Sequence, residues 1–153
     1  MNETSLRDDI VRLTCELIAI PSTDDRPEQL QAVIDYAEQY ARAVPGVFIH
    51  RDACEAKPSL IVTLRDTHTP AIMFNAHLDV VAARPEQFAP DVRGDRIYGR
   101  ASQDMKGSGA VLLRLLRDLA SRPQPPNVGF MFVSDEEIGG ERGTGYLAER
   151  GWG

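Results

Sequence analysis

Along this chain, stretches with apolar residues at helical spacing alternate with short β-branched or apolar runs, and that order restricts the fold more than any other feature. "SLRDDIVRLTCELIA" at 5–19 opens with Ser5 and an acid three residues later, then sets Leu6, Ile10, Leu13 and Leu17 on one face. This pattern predicts an amphipathic helix. "IPSTDDRPE" breaks it. Pro27 suits the first turn of a second helix reaching about Ala43, with Leu30, Val33, Ile34 and Ala37 as its apolar face, and "VPG" ends it. "VFIHR", "SLIVTL" and "AIMFNA" read as three strands separated by polar and Pro-containing segments. A long loop over 82–98 leads to a third helix in "GSGAVLLRLLRDLAS", which "RPQPPN" stops. "VGFMFVS" is then a nearly continuous apolar strand, and a short helix covers about Gly145 to Arg150. The order helix, helix, strands, helix, strand, helix predicts an α/β fold: a layered α/β/α domain with a mixed, mostly parallel central sheet.

Composition narrows the function. A length of 153 residues with 42% apolar content supplies one domain with a core. The net charge of −6, with no Lys/Arg cluster among aromatics, argues against a nucleic-acid partner. No apolar run approaches the roughly 20 residues that span a bilayer. "MNETSLRDD" is acidic and polar, unlike a secretory leader, so the reading is a cytoplasmic protein with no membrane contact. Cys15 and Cys54 are too few for a disulfide scaffold or a Cys-based zinc site, and read as helix packing and a loop thiol.

The polar groups of interest fall where strands are predicted to finish. "HLD" follows one strand, "SDEE" follows another, and "GRASQDMKG" opens the helix between them, which brings His77, Asp79, Asp104, Glu136 and Glu137 to loop positions at carboxyl ends of strands. If residues 77–79 stay extended, His77 and Asp79 share a face, so that Asp79 can hold one imidazole nitrogen while the other binds metal. Glu136 and Glu137, as neighbours in extended chain, would point in opposite directions. One can then bind metal while the other acts as a general base. Asp104 has two oxygens and can bridge two cations. The mixed nitrogen and oxygen donors suit Zn²⁺, Mn²⁺ or Co²⁺ better than Mg²⁺.

Each fragment alone has an ordinary reading. His-x-Asp is commonly a satisfied histidine, an acidic triplet is commonly a solvated turn, and "DMKG" is a normal helix start. "GGERGTG" lacks the Gly-Lys-Ser/Thr ending of a phosphate loop. His50 and His68 read as a strand-surface residue and a loop residue. The joint occurrence, in this order, is what indicates a metal site.

"FNAHLDVV", "PEQFAPDVRGDRIYGRASQDMKGSGAVLLRLL" and "VGFMFVSDEEIGG", together with the opening "ELIAIPST", resemble the co-catalytic zinc metallopeptidase and amidohydrolase family of aminoacylases, acetylornithine deacetylases, succinyl-diaminopimelate desuccinylases and glutamate carboxypeptidases. The resemblance implies a zinc-peptidase-like catalytic domain that holds two divalent metal ions, Zn or else Co or Mn. It assigns His77 to one metal, Asp79 to orienting that histidine, Asp104 to bridging, Glu136 to general base and Glu137 to the second metal. It also implies a cis peptide bond after Asp104. The implied substrate is a small N-acyl amino acid or short peptide, hydrolysed at its amide bond. Ala101 stands where the family usually has glycine. The family's further acidic ligand, lid or dimerisation domain and late histidine would fall beyond Gly153, so the expectation is the N-terminal portion of a catalytic domain. Such a chain alone is expected to bind metal weakly and turn over little. The alternative is an inactive metal-binding or interaction module that forms a homo-oligomer or pairs with a missing C-terminal portion.

Overall fold

The computed structural model describes residues 3–153. Helix α1 runs Glu3–Ile18 and α2 runs Pro27–Arg42, close to the predicted spans. Ser5 lies inside α1 rather than at its cap. Strands β1 (Phe48–Cys54), β2 (Lys57–Thr63) and β3 (Ile72–His77) follow. The expected loop over 82–98 instead contains a 3-10 turn at Pro85–Phe88 and a small antiparallel hairpin, β4 (Asp91–Arg93) with β5 (Arg96–Tyr98). Helix α3 covers Lys106–Ala120, β6 covers Val128–Val133, and α4 is the short Tyr146–Glu149. Cys54 closes β1 and so belongs to a strand rather than a loop.

The main sheet has the order β1-β2-β6-β3. It is mixed, as expected, but two of its three pairings are antiparallel and only β3–β6 is parallel, which corrects the mostly parallel reading. The reason is local. Cys54 pairs with Lys57, so β1 and β2 are joined by a two-residue turn, and a connection that short permits only antiparallel strands. A parallel pair needs a long crossover, which β4, β5 and α3 supply between β3 and β6.

Both sheet faces are covered. Leu60 and Val62 of β2 and Phe130 and Phe132 of β6 pack with Leu13 and Leu17 of α1, Val33, Ile34 and Ala37 of α2 and Leu113 and Leu116 of α3. Each large side chain fully buried there contributes about 1.5–3 kcal/mol. The alternate residues Ile61, Met131 and Val133 face the other way, against Leu147 and Trp152. Every residue of β6 is buried, which explains its unbroken apolar run. Helix α3 is tied to α1 by Arg114, whose guanidinium reaches Asp9 at 3.1 Å. His50, half-buried in β1, and exposed His68 gather around Trp152, with His68 stacked on the indole. No helix among the described residues is long and apolar enough to cross a membrane.

This topology places the site. His77 pairs with Val133, so the parallel strands β3 and β6 finish side by side. The crossover helix between them begins at the same rim. Three loops with separate sequence origins therefore meet beyond the carboxyl ends of β3 and β6.

Candidate functional site

His77 ends β3 and is 5% exposed. Its Nδ1 lies 3.1 Å from the main-chain oxygen of Asp79. A carbonyl only accepts, so Nδ1 donates to it, and Nε2 is the nitrogen turned to the rim. Nε2 stands 3.1 Å from Oδ1 of Asp104 and 3.5 Å from Oε2 of Glu136. Burial pushes the imidazole pKa down, but the carboxylate and carbonyl of Asp79 and the carboxylate of Asp104 outweigh it and raise it to about 9.

Asp79 is buried at 3% exposure. Its Oδ1 is 3.6 Å from His77 Nδ1, an ion-pair distance beyond hydrogen-bond reach, while Oδ2 accepts the Glu137 backbone N–H at 2.9 Å. The ring is thus held by the Asp79 carbonyl. The carboxylate instead binds the loop after β3 to the loop after β6, and Oδ1 is left without a hydrogen-bond partner.

Asp104 lies in the turn before α3, its side chain 82% exposed, and the Asp104–Met105 peptide bond is cis, as the resemblance implied. Ala101, three residues earlier, has φ of 62°, a left-handed conformation that glycine adopts without cost. Glu136 and Glu137 sit in a 3-10 turn, Glu136–Ile138, and not in extended chain. Glu136 is exposed and approaches His77. The Glu137 carboxylate makes no hydrogen bond or ion pair with the other four. Among the described residues, no three or more His, Cys, Asp or Glu side chains already stand at the spacing of a metal site.

The donors that do converge fit a divalent cation. Two ligands on one tetrahedral metal, with bonds of about 2.0–2.1 Å, lie roughly 3.3–3.4 Å apart. The 3.1 Å between His77 Nε2 and Asp104 Oδ1 is close to that spacing. One imidazole nitrogen with carboxylate oxygens is a donor set for zinc, cobalt or manganese.

Two groups that sequence reasoning passed over shape the rim from below. Asp135, the first acid of the "DEE" triplet, is buried, and its Oδ2 accepts the backbone N–H groups of Arg142 at 2.7 Å and Gly143 at 2.9 Å. It folds the Gly-rich loop rather than facing solvent. Gly143 is required there because a Cβ would lie 2.1 Å from Asp135 Oδ1. Lys106, the lysine of "DMKG", is fully buried, and its ammonium donates to the carbonyls of Leu17 and Ile20 at 2.9 and 2.6 Å. Burial pulls its pKa down to about 7, against an opposing pull from the charge of Asp79. Neither group leaves a spacing signal, since each acts on distant or backbone partners.

Comparisons with known proteins place the chain in a family. Residues 73–153 match the model of Peptidase family M20/M25/M40, more than half of the chain, and the chain belongs to that family. The succinyl-diaminopimelate desuccinylase of Xanthomonas campestris is 35% identical over an alignment of 159 residues that covers 94% of this chain and 40% of the relative. Human carnosine dipeptidase 1 superposes with a TM-score of 0.76 at 19% identity, over 90% of this chain and 34% of that one. The M20 family metallo-carboxypeptidase Sso-CP2 from Sulfolobus solfataricus superposes at 0.75 with 21% identity, over 98% of this chain and 35% of that one. The chain thus spans about two fifths of the length of that desuccinylase.

Proposed function

We propose that this chain carries part of the metal-binding catalytic domain of a metal-dependent amide hydrolase. The observation that carries the reading is the approach of oxygens of Asp104 and Glu136, residues 27 and 59 positions further along the chain, to Nε2 of His77. Membership in a peptidase family, with relatives named as a desuccinylase, a dipeptidase and a carboxypeptidase, supports amide-bond cleavage as the chemistry. His77, Asp104 and Glu137 would hold the cations, Asp104 offering its two carboxylate oxygens. Divalent ions bound there, zinc in the first instance, would supply Lewis acidity that polarises the scissile carbonyl and acidifies water. Glu136, open to solvent, takes the proton of the attacking water and returns it to the leaving amine. Asp79 keeps the ring in register through its main-chain oxygen. The substrate class is a small N-acyl amino acid or short peptide.

A second reading, an interaction module, is favoured by one observation. Strand β3 ends the sheet with Ile72 exposed, an edge open to another strand. Sedimentation of the metal-free chain across concentration separates the two: a stable dimer supports pairing, and a monomer removes it.

The test of the main reading is a Co²⁺ titration followed by visible absorption, for the wild-type chain and for a His77→Ala, Asp104→Ala double variant. Saturable absorption that the double variant lacks is expected. Identical titrations would remove the metal site.

A further inference from the structure

A fully buried lysine is uncommon, because the ammonium loses its water and an apolar side chain of equal volume would fill the space at lower cost. Lys106 is such a residue, and it stands two positions after Asp104. Its ammonium does not reach a carboxylate. It ends on two carbonyls at the close of α1, Leu17 and Ile20, which lie 89 and 86 residues away in sequence. The backbone around it is equally confined: Lys106 N–H donates to Ala101 O at 2.9 Å, and a Cβ on Gly107 would meet Ser102 O at 2.3 Å. The turn that carries Asp104 is thus closed on itself and bolted to the end of α1 by one side chain.

The same short segment grips the other loop. Ser22 is buried, its hydroxyl donates to Leu78 O at 2.6 Å, and Val80 N–H donates to Ser22 O at 3.0 Å. These bonds clasp the chain on both sides of Asp79 and immediately after His77. Residues 17–22 therefore hold the Asp104 turn through Lys106 and the His77–Val80 loop through Ser22. Between those two fixings lies the 3.1 Å approach of Asp104 to His77.

We propose that Lys106 and Ser22 are positioning residues of the site, acting through a common anchor at residues 17–22 that sets the separation of His77 and Asp104. The proposal rests on the metal-site reading only for its consequence, since the anchor exists without metal. A lysine serving only as a helix cap would support α1 and leave the surroundings of His77 unchanged.

The experiment is ¹⁵N NMR of the histidine rings in the chelator-treated chain, with His77 assigned by His77→Ala, followed by Co²⁺ titration of the same samples. Lys106→Met keeps the volume and removes the donors. The expected result is movement of the His77 ring resonances in the sense that Asp104→Asn moves them, with His50 and His68 unmoved, and a Co²⁺ affinity about tenfold weaker. Unmoved His77 resonances in a folded Lys106→Met chain would overturn the proposal. If that variant does not fold, Ser22→Ala decides. It keeps the apolar packing, and it should shift His77 and weaken Co²⁺ about threefold, whereas an unshifted ring again overturns the proposal. Shifted rings in a chain that binds no Co²⁺ even as wild type would leave the anchor standing and remove the metal-site reading alone.

Discussion

The proposed ligands His77 and Asp104 live in opposite surroundings. The imidazole is enclosed and held by a backbone carbonyl, while the carboxylate 3.1 Å away stands almost wholly in solvent. The contrast runs through the rim. Asp79, Asp135, Lys106 and Ser22 are buried and spend their hydrogen bonds on backbone groups of neighbouring segments, whereas Asp104 and Glu136 reach outward. Orientation is thus built from beneath, by groups whose hydrogen bonds go to backbone atoms. Asp104 and Glu136, as exposed tips, carry little of the fold and should be removable without unfolding it.

The largest effect should come from the buried side. Gly143→Ala forces a methyl group against Asp135 and Val133, so urea unfolding should show a loss of about 2–4 kcal/mol. A loss below about 1 kcal/mol would mean that Asp135 does not determine the Gly-rich loop. Far from the rim, Glu38 accepts hydrogen bonds from Arg51 and Arg42, and these cations hold its carboxyl below the usual carboxylate range. A folded-state value below the unfolded one gives stability that is present above the ordinary carboxylate pKa and lost as pH falls through the folded value. Glu38→Gln should therefore cost up to about 1 kcal/mol at neutral pH and nothing in strong acid, read from unfolding midpoints at the two pH values.

Ala101→Gly tests the turn that joins the two regions. Relief of the left-handed strain, about 1–2 kcal/mol, is offset by the greater freedom of glycine in the unfolded chain, leaving a net gain below about 1 kcal/mol in thermal unfolding. Asp104→Asn is the smallest change for the fold and the sharpest for the comparison. Stability should stay within about 0.5 kcal/mol, as for exposed sites generally, while Co²⁺ affinity drops at least tenfold. A destabilised Asp104→Asn would erase the division between buried supports and exposed tips.

Much of this architecture is legible in the sequence. Leu13 and Leu17, Val33, Ile34 and Ala37, and the run Val128–Val133 occupy the buried positions that their periodicity indicates. The hairpin of β4 and β5 escapes notice because its three-residue strands share a single apolar pair, Val92 with Ile97, too little for a periodic signal. The antiparallel direction of β1 and β2 is hidden in the sequence because both strands run past their apolar stretches, to Cys54 and from Lys57, and so conceal the two-residue turn between them. His77, Asp104 and Glu136 could be read from their places after strands and before a helix. The supports could not. Asp79 bonds to Glu137 across 58 residues and Lys106 to Leu17 across 89, and their partners are main-chain atoms that every sequence possesses.

The most direct measurement is an anomalous-scattering crystal structure of the 153-residue chain soaked with Zn²⁺. A metal site at His77 predicts a peak about 2.0–2.2 Å from His77 Nε2 and from an oxygen of Asp104, with Glu136 close by but outside the coordination. Zinc found only elsewhere, with His77 Nε2 and Asp104 still facing each other free of metal, would contradict it.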